Sequence, residues 1–420
     1  MFHTTDELSF GEAPFHYGEL FFSRTDERGI IQAGNEVFQR LSSYPWSQLI
    51  GAHHEMVRHP DMPKGFFHIF WERLRAGESV SGYMKNVAQD GSHYWVYAII
   101  QPVEGGYLSV RIKPGSQLFK AVAATYAALH EVEETEELSD EESAVRLLQR
   151  LQKMGYGNYD TFMAESLAAE LAATDTALKR AVGERGQHFA RLYQAVNEAK
   201  EHTLALCETF SAIEGIPHNM RILASRLEAS GGPIAAISAN YGSISQEISD
   251  WASGYVQGAD SIFGRLDHSM RNCGYLSGVA RVMDEVCVQF DGEADDPDCP
   301  VNRSDEKQHL TATATICRDK AEEQLGILEK TATRFSNGVM AMKRLIAGLS
   351  TTRMMCKIES ASLPQKNESL TAIINQLDSF QIQMEEHLDQ LAMLTAAFLT
   401  SVRALHATRR KPLKLKMAAG

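Results

Sequence analysis

Near residue 115 the hydrophobic periodicity of this chain changes once, and that change limits the folds open to it. Before it, short apolar runs rich in aromatic and β-branched residues alternate with turn signals, as strands do. After it, apolar residues recur at three- and four-residue steps for most of the remaining sequence, as amphipathic helices require. Six of the twelve prolines and three of the four tryptophans (Trp46, Trp71, Trp95) precede Gly115. A chain of 420 residues exceeds one ordinary core. We therefore divide it into a mixed α+β domain at 1–115, linker helices at 116–157 and a helical bundle at 158–420.

Within the first part, Leu20 to Thr25 reads as a strand, Asp26-Glu27-Arg28-Gly29 as a hairpin turn and Ile30 to Ala33 as its partner. A helix starts at Asn35, and a second runs from Phe66 to Leu74, closed by Gly77. Val80–Asn86, His93–Gln101 and Tyr107–Ile112 read as three further strands, separated by Asp90-Gly91 and Gly105-Gly106. This order predicts a five-stranded antiparallel sheet with helices on one face. Such an arrangement encloses a central cavity of the kind that binds small molecules.

The run Met56-Val57-Arg58-His59-Pro60-Asp61-Met62-Pro63, followed at fitting distances by Phe67, Trp71, Gly77-Glu78, Lys85-Asn86 and His93-Tyr94-Trp95-Val96, resembles the PAS sensor domain of bacterial aerotaxis receptors. The resemblance covers about a quarter of the chain. It implies non-covalent binding of FAD and readout of its redox state, and it carries over Asn35, Arg58, His59, Asp61, Phe67 and Asn86 as cofactor-binding residues. A flavin needs an apolar slot for its faces and fixed donors and acceptors for its pyrimidine edge. Asn35 and Asn86 suit that edge, Arg58 and His59 suit the diphosphate or ribose, and Asp61 suits their alignment through charge-assisted bonds. One departure stands out: where the family has a Trp between Gly-Glu and Ser-Gly, this chain has Val80. Removing a large ring leaves room, so the flavin is held differently, or less tightly, or not at all. Haem is the alternative cofactor, with His53, His54, His59, His68 or His93 as an axial ligand.

Beyond residue 115, Ser116 to His130 reads as a helix carrying the signal out of the sheet. It runs into an acidic stretch, Glu131 to Glu142, expected to be a solvated hinge or a helix start. Ser139 and Glu142 form a capping-box pattern opening the helix Ala144 to Met154, and Gly155 to Asp160 ends it. Thr161 to Val182 resumes as helix. Long helices are expected at Gln187–Ala212, Asn219–Ser230, Ile234–Phe290, Asp305–Leu349 and Gln365–Thr408. The last carries a heptad-like stripe, Leu370, Ile373, Leu377, Phe380, Met384, Leu388, Leu391, Leu394 and Phe398, which argues for helix-on-helix packing in an elongated bundle or coiled coil. Residues 219–241, with Leu223 and Leu227 at heptad positions and, after Gly231-Gly232-Pro233, Ile234 and Ile237 where the family has Phe and Val, look like a degenerate chemoreceptor hairpin tip. Most of the polar and arginine positions with which that family engages its kinase are replaced here, which implies weakened kinase coupling.

Net charge is −13, which disfavours nucleic acid or an anionic membrane as partner of the whole molecule. No stretch of about 18 apolar residues is present. The first twenty residues lack the basic head and apolar stretch of a secretory signal, so a cytoplasmic location is expected. Six cysteines without a C-x-x-C pair suit a reducing compartment and suggest no metal site. The acidic loop Asp291–Pro300 lacks regular ligand spacing and reads as solvated, and the basic tail Arg409–Lys416 reads as a frayed helix end. No G-x-G-x-x-G opens a helix after a strand, and no nucleophile-base grouping is apparent, so an enzyme is not expected. The expected function is cytoplasmic redox or oxygen sensing relayed to chemotaxis-like protein partners, with a homodimer open. The alternatives are a cofactor-free adaptor and a haem-based gas sensor.

Overall fold

The computed structural model of the protein describes residues 11–181, 183–213, 215–227, 233–256, 261–293, 296–362 and 368–408. It begins with β1 (Phe21–Asp26) and β2 (Ile31–Gly34), then α1 (Glu36–Ser42), the short α2 (Trp46–Leu49), a 3₁₀ turn (His54–Val57) and α3 (Lys64–Arg75). β3 (Val80–Val87), β4 (His93–Val103) and β5 (Gly106–Ile112) follow. The five strands form one antiparallel sheet in the order β2-β1-β5-β4-β3. The expected sheet is therefore present, with strand ends moved by one or two residues.

Register decides which side chains share a face. Phe21 is opposite Arg111, Ser23 opposite Ser109 and Thr25 opposite Tyr107, while Asn86 is opposite Tyr94. Because successive side chains alternate, these residues lie on the inner face, toward α3, and Phe22, Arg24, Tyr83, Tyr97, Leu108 and Val110 lie on the outer face.

After the sheet come α4 (Gln117–Thr135), α5 (Asp140–Lys153) and α6 (Tyr159–Ala177). Each has a side-chain cap: Ser116 accepts from Phe119 N, Ser139 and Glu142 form a reciprocal capping box, and Asn158 accepts from Thr161 N. Such caps satisfy backbone donors that the first helical turn leaves without partners. These helices are integral to the first compact unit. Val122, Tyr126, Leu129, Leu147 and Leu151 are buried in the same apolar core as the sheet. The acidic stretch is not wholly solvated, because Glu133 is buried and accepts from Ser143 Oγ and the Gly65 amide. That amide also donates to Ser143 Oγ at 3.0 Å, so α3 and α5 approach closely at Gly65.

The remaining helices are α7 (Glu184–Ile213), α8 (Ile216–Leu227), α9 (Pro233–Val256), α10 (Ile262–Gly292), α11 (Arg303–Ser362) and α12 (Glu368–Thr408). The single helix expected over Ile234–Phe290 is two, α9 and α10. The chain groups into two compact units, 1–182 with 271–322, and 183–270 with 323–420. The first unit thus includes most of α10 and the start of α11.

In the second unit, α7 packs along α12 and against α9, and α8 packs on α9 and α12. Leu377, Phe380, Met384, Leu388, Leu391 and Phe398 of the expected stripe are buried. Ile374 and Thr395 take core positions expected for Ile373 and Leu394, as a helix of 3.6 residues per turn drifts against a seven-residue repeat. Leu370, the turn at 228–232 in the expected hairpin tip and the basic tail lie outside the described residues or side chains. Among the described residues, no helix is long and apolar enough to cross a membrane.

Candidate functional site

A cavity of about 410 Å³ lies between the inner face of the sheet, the 3₁₀ turn and α3. Its volume falls in the range of small-molecule and cofactor sites. Ser23 and Thr25 on β1, Met84 and Asn86 on β3, Ile100 on β4, and Tyr107, Ser109 and Arg111 on β5 form one wall. Phe67, Phe70, Trp71 and Leu74 on α3 face them, a spacing that puts one side of that helix on the cavity. Arg28, His53, Glu55, Arg58 and Arg75 complete the lining. The result is an apolar and aromatic slot with polar groups along the sheet.

Three of the six expected binding residues meet here. Arg58 stacks over the Phe67 ring at 3.8 Å and pairs with Glu55 at 3.4 Å. Asn86 is buried, and an antiparallel bridge ties the backbone of Arg58 to it. The His59 amide donates to Lys85 O at 3.3 Å, so the segment after the 3₁₀ turn is held on the β3 edge beside Asn86.

The other three lie outside the lining. His59 and Asp61 form a polar cluster with Lys85: Lys85 Nζ donates to Asp61 at 2.5 Å, and His59 Nδ1 accepts from the Asp61 amide at 3.2 Å. Burial raises the Asp61 pKa, but Lys85 and His59 outweigh it and hold the carboxyl below its ordinary value. Desolvation, followed by the Lys85 charge, lowers the His59 imidazole. Asp61 therefore fastens His59 and Lys85, whereas Arg58 pairs with Glu55. Asn35 is buried at the start of α1, where its Oδ1 accepts from Phe22 N at 2.9 Å and from Phe38 N at 3.2 Å. Its Nδ2 donates to Leu20 O at 2.8 Å and Glu293 at 2.9 Å. Val80 is buried in the core and does not line the cavity.

The cavity also holds polar residues that the sequence motif did not contain. Arg111 donates to Ser23 Oγ at 3.2 Å and to His54 Nε2 at 3.1 Å, and its guanidinium lies 4.3 Å from the centre of the Phe21 ring. Ser23 Oγ lies 3.2 Å from the same His54 nitrogen. Because the guanidinium can only donate, His54 Nε2 is an acceptor and the ring is neutral. Desolvation, reinforced by the Arg111 charge, accordingly pushes the His54 pKa well below its ordinary value. The available signal for Arg111 was strand alternation: Tyr107, Ser109 and Arg111 share one face of a strand whose other face is apolar.

The outer face of the sheet is covered by helices of the same unit. Phe22 meets Phe290 edge-on at 5.3 Å, and Leu20 N donates to the Gln289 side chain at 2.8 Å. Ser81 Oγ donates to Tyr275 OH at 3.2 Å, and Tyr97 OH lies 2.9 Å from Ser166 Oγ. Tyr83 OH donates to the buried Glu170 at 2.7 Å, and Glu170 also accepts from the Gly115 and Ser116 amides. Arg24 forms a bidentate pair with Glu306 at 2.8 and 2.7 Å. The acidic loop is likewise engaged, since Asp296 accepts from Trp46 Nε1 at 3.0 Å and Asp291 pairs with Lys307 at 2.5 Å. β1, β3 and β4 therefore face the cavity on one side and helices on the other.

A family model described as "PAS fold" matches residues 33–110. The aerotaxis receptor of Escherichia coli (strain K12) is 42% identical over 113 residues, which is 26% of this chain and 22% of that protein. The biofilm dispersion protein BdlA of Pseudomonas aeruginosa is 33% identical over 82 residues, 19% of this chain and 20% of that protein. The bacterioopsin transcriptional activator of Halobacterium salinarum is 26% identical over 225 residues, 53% of this chain and 31% of that protein. The chain thus spans between 20% and 31% of the length of these relatives.

Proposed function

We propose, from the premise of an N-terminal PAS domain homologous to those of aerotaxis and biofilm-dispersion receptors and joined to a helical region, that this chain is a flavin-based redox or oxygen sensor. Residues 1–115 sense, 116–157 relay and 158–420 deliver the signal to protein partners of a chemotaxis-like pathway, in the cytoplasm. The observation that carries the reading is the slot between α3 and the sheet, where the buried Asn86 Nδ2 and Ser109 Oγ have no hydrogen-bond partner within the protein. Buried polar groups are normally paired, so groups left open in a cavity suit a polar ligand edge. Aromatic side chains opposite them suit the faces of a planar ring.

The cofactor class that fits is a flavin, with FAD as the specific proposal; when bound it supplies reversible uptake of electrons. Asn86 orients the ring edge by hydrogen bonding. Phe67 presents an aromatic wall and Arg58, stacked on it, a positive charge toward the phosphates. Asn35, His59 and Asp61 act as positioning residues, Asn35 by fixing β1 to α1 and the other two by holding the Arg58 segment against β3. His54 Nε2 is already occupied by Arg111 and Ser23, which removes one candidate haem ligand and leaves His53 as the other histidine of the lining. A change of charge at the sheet biases the contacts of its outer face, and a switch of this kind needs interactions that differ between two states.

The test is the absorption spectrum of the purified full chain after incubation with excess FAD, recorded aerobically and after dithionite. Flavin absorption in the blue that bleaches on reduction is expected. Protein that stays colourless overturns the reading in favour of an adaptor, and a Soret band overturns it in favour of haem. Protease digestion of the two redox states should give different cleavage patterns in the helical part; identical patterns would remove the relay.

A further inference from the structure

Arg111 is 4% exposed, and every partner it has in the protein is neutral: Ser23 Oγ, His54 Nε2 and the Phe21 ring. Among the described residues no carboxylate lies within ion-pair distance of it. The two acids that line the cavity, Glu27 and Glu55, are solvent-exposed, and Glu55 is paired with Arg58. His54 cannot supply the missing charge, since its acceptor nitrogen is the one Arg111 binds. Arg111 Nε has no partner at all, and neither do Asn86 Nδ2 and Ser109 Oγ, on residues 5% and 6% exposed. All three residues line one cavity: Ser109 is two positions from Arg111 on the same face of β5, whereas Asn86, on β3, is opposite Tyr94, further along the sheet than the Ala98 and Ile100 that pair with Arg111 and Ser109.

A buried guanidinium is ordinarily matched by a carboxylate or phosphate, because leaving it without a counter-charge is costly. Here the rest of the site has been arranged without one. We infer that Arg111, with Ser109 beside it on β5, is the anion-receiving part of the cavity, and that the ligand's negative charge or acceptor edge completes the pairing the protein leaves open. The inference rests on the sensor reading in one respect, the identity of the ligand. For a flavin, the acceptor-rich edge of the pyrimidine ring belongs in this part, and the site favours the reduced cofactor, which carries more negative charge there. Desolvation also lowers the Arg111 pKa, to about 10, in keeping with a charge that lacks a partner.

The test compares the full-length wild-type chain with Arg111→Met and Arg111→Lys, each with and without FAD. In Arg111→Met, affinity for FAD is expected to fall at least tenfold. Its preference for reduced over oxidised FAD is also expected to fall about tenfold, equivalent to about 30 mV in a two-electron midpoint potential. Without FAD, the same variant is expected to melt about 2 °C or more above wild type, because an unmatched buried charge is gone while Ser23 and His54 still satisfy each other. Arg111→Lys keeps the charge without the fork, so its redox preference should stay closer to wild type than its affinity. Wild-type affinity and potential in Arg111→Met, or a ligand-free melt below wild type, would overturn the inference while leaving flavin sensing intact. Failure of the wild type to take FAD removes the flavin reading alone, and the ligand-free melts then decide the role of Arg111.

Discussion

Asn35 and Glu293, 258 residues apart in sequence, meet in a 2.9 Å hydrogen bond. Together with the bonds to Phe22 N, Phe38 N and Leu20 O, it uses both donors and both acceptor positions of the Asn35 amide. The side chain that the motif offers to a cofactor is thus spent on joining β1, α1 and the end of α10.

Replacing Asn35 by Ala removes a helix cap and leaves buried backbone groups without partners. The expected loss is about 2–4 kcal/mol of unfolding free energy, read by urea denaturation of the full chain. Glu293→Gln keeps the acceptor and should stay within about 0.5 kcal/mol of wild type. Any flavin lost in Asn35→Ala should follow the unfolded fraction, and loss from fully folded protein would restore a direct ligand contact.

Gly65→Ala should be among the most damaging small substitutions in the first unit. A Cβ there would overlap the backbone of Ser143 and Ala144 on α5. Because the obstacle is backbone, relief requires α3 and α5 to separate, and a loss of about 3 kcal/mol or more is expected. Stability within 1 kcal/mol of wild type would show that the two helices are not packed this tightly.

His54 gives the first unit a pH dependence of definite sign. Its folded-state pKa is well below the unfolded value near 6.5, so the unfolded chain binds the proton first. Stability is then complete above about pH 6.5 and declines as pH falls below it, by at most about 1.4 kcal/mol per unit from this group. His54→Gln retains an acceptor without titrating, and it should flatten the melting-temperature profile between about pH 6.5 and 5 relative to wild type.

Asn86→Ala separates ligand binding from folding. Its Nδ2 has no partner in the protein, so ligand-free stability should change by less than about 1 kcal/mol. FAD affinity should fall about tenfold, the worth of one well-made hydrogen bond in an enclosed site. Equal losses of stability and affinity, measured by thermal shift and by flavin fluorescence, would assign Asn86 a purely structural part.

The strands were legible because their signals are local: Asp90-Gly91 and Gly105-Gly106 mark turns, and alternation within each run fixes the two faces. The slot between α3 and the sheet followed from the same pattern. What covers the outer face was not legible, since periodicity shows that Tyr83 and Tyr97 have a buried side but not that Glu170, Ser166 and Tyr275 are what they meet. Likewise Glu133, one acid in a charged stretch, gave no hint that Gly65 and Ser143 enclose it. The motif brought Arg58, Phe67 and Asn86 to one cavity, but it was blind to Arg111 and His54, whose importance lies in what surrounds them. An arginine on a strand is ordinary until its neighbours are seen to be uncharged.

With α6, α10 and the start of α11 seated across Phe22, Arg24, Ser81 and Tyr97, the flat side of the sheet is already taken by the chain itself. A second molecule seeking that surface would have to exchange its own helices for these. Self-association that leaves the fold undisturbed must then use other territory, and any pairing through the sheet would be slow and marked by release of Tyr275 and Phe290.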